Sequence, residues 1–153
     1  MKMLKPKIYL QNPELAYCSL NSCRTVFDFY FKTPPSRNTL KRILKTGRNT
    51  GTYTNNIYNL LDTYDLKYKL LSKLTFKSVV NTLNKNNLML ISYKCGEKQY
   101  HSSVISGCFI QRGTPFIRLC DPWLGFHDMP FNLLQYLVYL GNDKIVHFLE
   151  NNS

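Results

Sequence analysis

The stretch PELAYCSLNSCRTVFDFYF, residues 13–31, decides how the rest of the chain is read. From residue 18 onward its apolar side chains recur at helical spacing. At about 100° per residue, Leu20, Cys23, Val26, Phe27 and Tyr30 share one face, so the spacing predicts a helix over 18–31. Cys23 lies inside the apolar stripe and reads as core. Cys18 lies at the helix start, well away from the stripe. A helix N-terminus favours a thiolate, because its unpaired N–H groups and its dipole stabilise negative charge. One cysteine is thus placed as packing and the other as chemistry.

Working outward, KTPPSRN is a loop whose prolines stop the helix, and Ser36 or Asn38 can cap the next one. TLKRILKTG predicts a short helix ending at Gly47. After a turn at Gly51, Ile57, Leu60, Leu61 and Tyr64 stand at helical spacing. KYKLLS alternates like a short strand, and TFKSVVNTLNKNN predicts a helix capped by Thr75. After residue 87 the period changes. LMLISYK, HSSVISGCFI and FIRLCD are short runs separated by turn signals, and read as three neighbouring antiparallel strands. NLLQYLVYLG predicts a helix and KIVHFLE a last strand. Helices first and strands after is the order of an α+β domain, here one domain over 1–153.

The composition suits this reading. A chain of 153 residues with 44% hydrophobic content can bury a real core. The formal net charge of +11 leaves acidic partners open, nucleic acid among them. Yet the Lys residues are scattered along the chain and form no compact cluster of the kind that marks a nucleic-acid patch. No run approaches the ~18 apolar residues of a transmembrane segment. The N-terminal LAYC imitates a lipoprotein signal, but Lys5, Pro6, Lys7 and Glu14 interrupt any apolar core, and Tyr17 is too bulky for a cleavage site. The five cysteines are an odd count, without a C-x-x-C pair or zinc-ligand spacing. This argues against a disulfide scaffold or a metal site and for a reducing, cytoplasmic setting. Cys23, Cys95, Cys108 and Cys120 read as buried small apolar residues, His127 and His147 as structural, and Trp123 as packing that could also wall a site.

His101 opens the second strand of the late sheet, and Asp121 ends the third. A thiol, an imidazole and a carboxylate are what nucleophilic cysteine catalysis needs. The thiolate attacks, the imidazole moves the proton, and the carboxylate orients the imidazole. Gln11 or Asn12, just ahead of Cys18, could supply a side-chain amide to an oxyanion.

In these contexts the chain resembles the papain-like cysteine peptidases of the C39 and C39-like group. Their Cys-Gly-x-x-[SA] helix start corresponds to CSLNSCRTVFDFY, and their Gly-Thr before a helix to GTYTNNIYNLL. Their His-[WFY]-V-V-[VI]-x-G strand corresponds to HSSVISG, and their Asp-Pro turn to DPWLG. The resemblance implies a papain-like fold, with N-terminal helices packed on a C-terminal antiparallel sheet. It also implies a thiol hydrolase using Cys18, His101 and Asp121 on a peptide or isopeptide bond of a peptide or protein substrate, with no cofactor. Transfer of the acyl group to an amine stays open.

The chain also departs from the pattern. Ser19 replaces the usual Gly, and HSSV lacks the usual aromatic after His. The oxyanion Gln of the group commonly stands about six residues before the Cys. Gln11 stands seven before and Asn12 six, so a one-residue bulge in QNPELAY would be needed to restore Gln11. Papain-like enzymes can use Asn in place of the Asp, which implies that Asp121→Asn is a mild change. Two other classes stay in view: a catalytically idle papain-like domain that binds a peptide, and a basic nucleic-acid-binding protein.

Overall fold

The computed structural model describes residues 2–12, 16–97 and 99–149. Helix α1, Cys18–Tyr30, starts directly at Cys18 and ends as Phe31 turns extended. Leu20, Cys23, Val26 and Phe27 are fully buried, as their spacing predicts. Ser19, Asn21, Ser22 and Thr25 are buried as well, so α1 is enclosed on its polar side too. Buried hydroxyls need partners. Ser22 Oγ donates to the Ser102 carbonyl at 3.1 Å, and Thr25 Oγ1 donates to the Lys7 carbonyl at 2.9 Å. These bonds fix the start of α1 against the sheet and against the N-terminal segment.

Helix α2, Arg37–Leu44, is capped by Ser36, whose Oγ accepts from the Thr39 N–H. It ends before Gly47: Lys45 takes the left-handed conformation with φ 54° and closes the helix. Gly47 instead bridges to Gly51 in the following turn. Helix α3, Thr54–Thr63, buries Ile57, Leu60 and Leu61. Strand β1, Tyr68–Leu71, follows. Helix α4, Phe76–Asn84, begins at a capping box in which Thr75 and Ser78 satisfy each other's backbone N–H.

The expected period change after residue 87 holds. Strands β2 (Met89–Gly96), β3 (Gln99–Gln111) and β4 (Thr114–Asp121) pair antiparallel in sequence order. The sequence reading missed strand β5, Gly125–Pro130, which pairs with β4. Its Gly and Pro ends and its half-exposed alternation suit an edge strand and hide it among turn signals. Helix α5, Phe131–Gly141, and strand β6, Ile145–Phe148, are the last elements among the described residues. The sheet order is β1-β6-β2-β3-β4-β5, so the last strand is inserted between the first two.

Every residue of β3 from His101 to Cys108 is buried, because the strand is covered on both faces. Helix α1 packs on β3, and α5 packs on β2 and β4. Near its middle, β3 also receives the N-terminal segment: Met3 bridges to Gly107, and Leu4 N–H donates to the Ser106 carbonyl at 2.7 Å. A Cβ at Gly107 would run into Met3 Sδ and crowd Arg118 Cβ, which is the physical reason for a glycine after HSSVIS.

Candidate active site

Antiparallel pairing sets the start of β3 beside the end of β4, and so brings His101 to Asp121 across 20 residues. His101 is the third residue of β3 rather than its first, and faces Tyr93 of β2 in register. Its Nε2 donates to Asp121 Oδ2 at 2.8 Å, with both side chains 1% exposed. A carboxylate only accepts, so this bond fixes the proton on Nε2 and turns Nδ1 the other way. Nδ1 is buried without a hydrogen-bond partner. The ring is gripped between Trp123, stacked at 3.9 Å, and Tyr93, edge-on at 5.4 Å.

Asp121 is saturated. Its Oδ1 accepts the backbone N–H groups of Trp123 at 2.7 Å and Leu124 at 3.2 Å, an Asx turn built by the DPWL sequence. Its Oδ2 accepts the Tyr93 hydroxyl at 3.2 Å beside His101. Burial alone would raise this carboxyl. The His101 bond, the His127 ring, the His101 charge and the Trp123 N–H outweigh it and hold the group well below the usual carboxylate range.

Cys18, on the first turn of α1, opens into the same cleft as His101. Burial would raise its thiol too. The His101 imidazole and its charge, with the backbone of Ser102 and Ser19, hold it below the ordinary value. Burial pulls His101 down, but its partners Asp121 and Cys18 raise it to about 9. Both shifts run in the direction that favours a thiolate facing an imidazolium, although no closed Sγ–Nδ1 hydrogen bond joins them. The cleft has a volume of about 600 Å³ and runs from Ala16 and Cys18 past Thr50–Thr54 to Gln99, Trp123 and Asp143.

Gln11 and Asn12 lie outside the cleft lining. The Gln11 N–H donates to the Pro122 carbonyl at 2.9 Å, and its Oε1 accepts from Asn21 Nδ2 at 3.3 Å. Gln11 is thereby tied both to the loop after Asp121 and to the first turn of α1, whereas Asn12 is exposed. The bulge expected in QNPELAY spans residues 13–15, which lie outside the described residues.

Cys23, Cys108 and Cys120 are buried, but Cys95 is exposed. It sits at the hairpin end of β2, where the register shifts between Lys94 and Gly96. His147 is structural, within 2.9 Å of Thr82 Oγ1. His127 reads as structural in the sequence, yet its Nε2 lies 3.6 Å from Asp121 Oδ2. Tyr93 and His127 are thus site neighbours that the sequence reading missed; the β4–β5 hairpin would have signalled His127, and no local pattern signals Tyr93. Ser102 and Ser103 in HSSV brace the backbone, Ser103 Oγ donating to the Cys120 carbonyl at 3.1 Å. Among the described residues no group of three His, Cys, Asp or Glu side chains is gathered to hold a metal ion. Nor is any helix long and apolar enough to cross a membrane.

No family model and no curated protein matches the sequence. Solved structures do resemble this one. The peptidase domain of Streptococcus ComA, a bifunctional ABC transporter involved in quorum sensing, has TM-score 0.71 at 15% identity, covering 95% of this chain and 100% of that one. A double-glycine motif protease from an AMS/PCAT transporter, solved in complex with the leader peptide, has TM-score 0.69 at 17% identity, with 96% and 93% covered. A protein from Bacillus anthracis described as a C39-like peptidase has TM-score 0.77 at 12% identity, with both chains fully covered. At these identities the likeness is one of architecture: among the described residues, five helices and a six-stranded antiparallel sheet in the α+β fold of C39-type peptidase domains.

Proposed function

We propose that this chain is a cysteine peptidase, acting as one domain on a peptide or protein substrate. The observation that carries the proposal is the buried His101–Asp121 pair, which commits Nε2 to the carboxylate and leaves Nδ1 for the thiol at the start of α1. Cys18 is the nucleophile, His101 the proton carrier and Asp121 the residue that orients it. Gln11, anchored to α1 through Asn21, is the better placed of the two amides to meet the oxyanion.

In the proposed reaction Cys18 Sγ⁻ attacks the carbonyl carbon, and a C–S bond forms. The carbonyl oxygen becomes an oxyanion at the N-terminus of α1. Collapse breaks the C–N bond, and the leaving amine takes the proton from His101 Nδ1. Neutral Nδ1 then accepts a proton from water as it attacks the acyl carbon. The C–S bond breaks, the acid leaves, and the thiolate–imidazolium pair is restored. An amine in place of water gives transfer by the same steps.

One feature favours a second reading, an idle domain that binds a peptide: Ser19 stands where the C39 group has Gly. A peptidyl chloromethyl ketone separates the two. An enzyme gains one adduct on Cys18, lost in His101→Ala and Cys18→Ala, and cleaves peptides that Cys18→Ala leaves intact. An idle domain binds peptide and gains no adduct.

A further inference from the structure

The cleft is uncharged over most of its wall in a chain that carries 20 Lys and Arg against 9 Asp and Glu. Asn49, Thr50, Thr52, Ser92 and Gln99 line it with neutral polar groups. Among the described lining residues there is no Lys or Arg. Apart from the Cys18–His101 pair, Asp143 is the only carboxylate among the described lining residues.

Asp143 is half-buried, and among the described residues no hydrogen bond or ion pair reaches it. Burial alone acts on its carboxyl and pushes it up. A desolvated carboxylate without a counter-ion is unfavourable, and an incoming cation removes that cost. Its neighbour Lys144 is exposed and does not pair with it.

The residue is also firmly placed. The end of α5 presses on β2 at Gly141, where a Cβ would lie 3.4 Å from Lys94 N and from Tyr93 Cα. Asn142 then takes φ 56° and ends the helix, and β6 begins at Ile145. A three-residue connection between fixed elements leaves Asp143 little room to swing away. Tyr93 of β2, beneath Gly141, donates to Asp121, so the helix end that precedes Asp143 packs on the residue that also bonds Asp121.

On its other side Asp143 lines a second groove with Tyr136 and Tyr139, exposed by 58% and 77%. Aromatic faces beside a carboxylate suit a cation further. Lys73 lines that groove as well, without pairing with Asp143.

We propose that Asp143 forms a specificity subsite for a cationic side chain, Lys or Arg, of the peptide that occupies the cleft. This rests on the peptidase reading for its substrate, but not for its binding chemistry. Net positive charge elsewhere does not oppose it, because charges beyond a Debye length of about 8 Å are largely screened at physiological salt.

The test uses an equimolar library of random decapeptides, with cut positions read by mass spectrometry. The wild type is expected to favour Lys or Arg at one fixed position relative to the cut. Asp143→Asn should lose that preference, with kcat/KM falling about tenfold for a Lys peptide and staying level for its norleucine analogue. Asp143→Lys should favour Glu at that position instead. Cleavage without Lys or Arg enrichment, or enrichment that persists in Asp143→Asn, overturns the subsite and leaves the peptidase reading standing. If the wild type cleaves nothing, the peptidase reading fails, and retention of the same library on Cys18→Ala decides the subsite. Retained peptides rich in Lys or Arg, lost in the Cys18→Ala/Asp143→Asn double variant, support it; unbiased retention overturns it.

Discussion

Replacing Asp121 by Asn removes one acceptor and no volume, and the geometry of its partners sets the consequence. Both carboxylate oxygens are in use, Oδ1 by two backbone N–H groups and Oδ2 by His101 and Tyr93. An amide has one acceptor oxygen. If that oxygen serves the Trp123 and Leu124 N–H groups, the amide N–H₂ faces His101 Nε2. The imidazole must then become an acceptor at Nε2 and carry its proton on Nδ1, the nitrogen meant for Cys18. That neutral tautomer cannot take a proton from the thiol, and a wrong tautomer of this kind costs about 10²- to 10⁴-fold in kcat. If the oxygen serves His101 instead, two loop N–H groups lose their acceptor. Either way Asp121→Asn is a severe change here, against the mild effect that the resemblance implies. Without the carboxylate, His101 loses the Asp121 contribution that raises it, and Cys18 alone is left to oppose burial, so its pKa falls from the raised value. Peptide cleavage measures the rate, and ring ¹⁵N shifts of His101 report the tautomer. Wild-type kcat with the proton still on Nε2 would refute the reasoning. Asp121→Ala also strands a buried imidazole, at about 3–5 kcal/mol. At about 2–4 °C per kcal/mol for a chain of this size, Tm should fall by roughly 6–20 °C.

Cys23→Ser should lower stability by about 1–3 kcal/mol in urea denaturation, because it places a hydroxyl at a fully buried point of the α1 stripe, while Cys18→Ala leaves the midpoint almost unchanged. Gly107→Ala should cost about 1–3 kcal/mol and expose residues 2–4 to proteolysis, since the new methyl displaces Met3; an unchanged Tm would contradict the packing given for the N-terminal segment. The depressed Asp121 carboxyl contributes stability that is complete above the ordinary carboxylate range and is lost as pH falls through its folded value. On the acid side, wild type should therefore lose stability relative to Asp121→Asn below about pH 4, and a difference that stays constant from pH 6 to pH 2 would remove Asp121 from the acid response; on the alkaline side the raised His101 makes the same difference shrink as pH climbs toward about 9.

What the sequence disclosed was mostly local. The α1 stripe, the Thr75 cap and the change to period-two runs after residue 87 are set by neighbours along the chain. The pairing of β3 with β4 comes from a short hairpin, and with it the approach of His101 to Asp121. Long-range choices were not legible. Nothing within KIVHF says that β6 enters between β1 and β2, and nothing around Tyr93 says that its hydroxyl reaches Asp121. Strand β5 was hidden by its Gly and Pro, and His127 was hidden with it. Cys95 has the apolar character of a buried cysteine, but the hairpin end carries it out of the core.

The most direct test of a thiolate–imidazolium pair at Cys18 is the rate of iodoacetamide alkylation of each cysteine as a function of pH, read by peptide mass mapping. Burial pushes Cys23 up to about 12 and Cys120 to about 11, and Cys95 and Cys108 are raised as well. Cys18 alone should therefore react at pH 6, with a midpoint below the free-thiol value of ~8.5 that moves upward in His101→Ala. Exposed Cys95 serves as the internal control and should react only at alkaline pH. If Cys18 reacts no earlier than Cys95, or if His101→Ala leaves its profile in place, Cys18 is not an activated nucleophile and the peptidase reading falls.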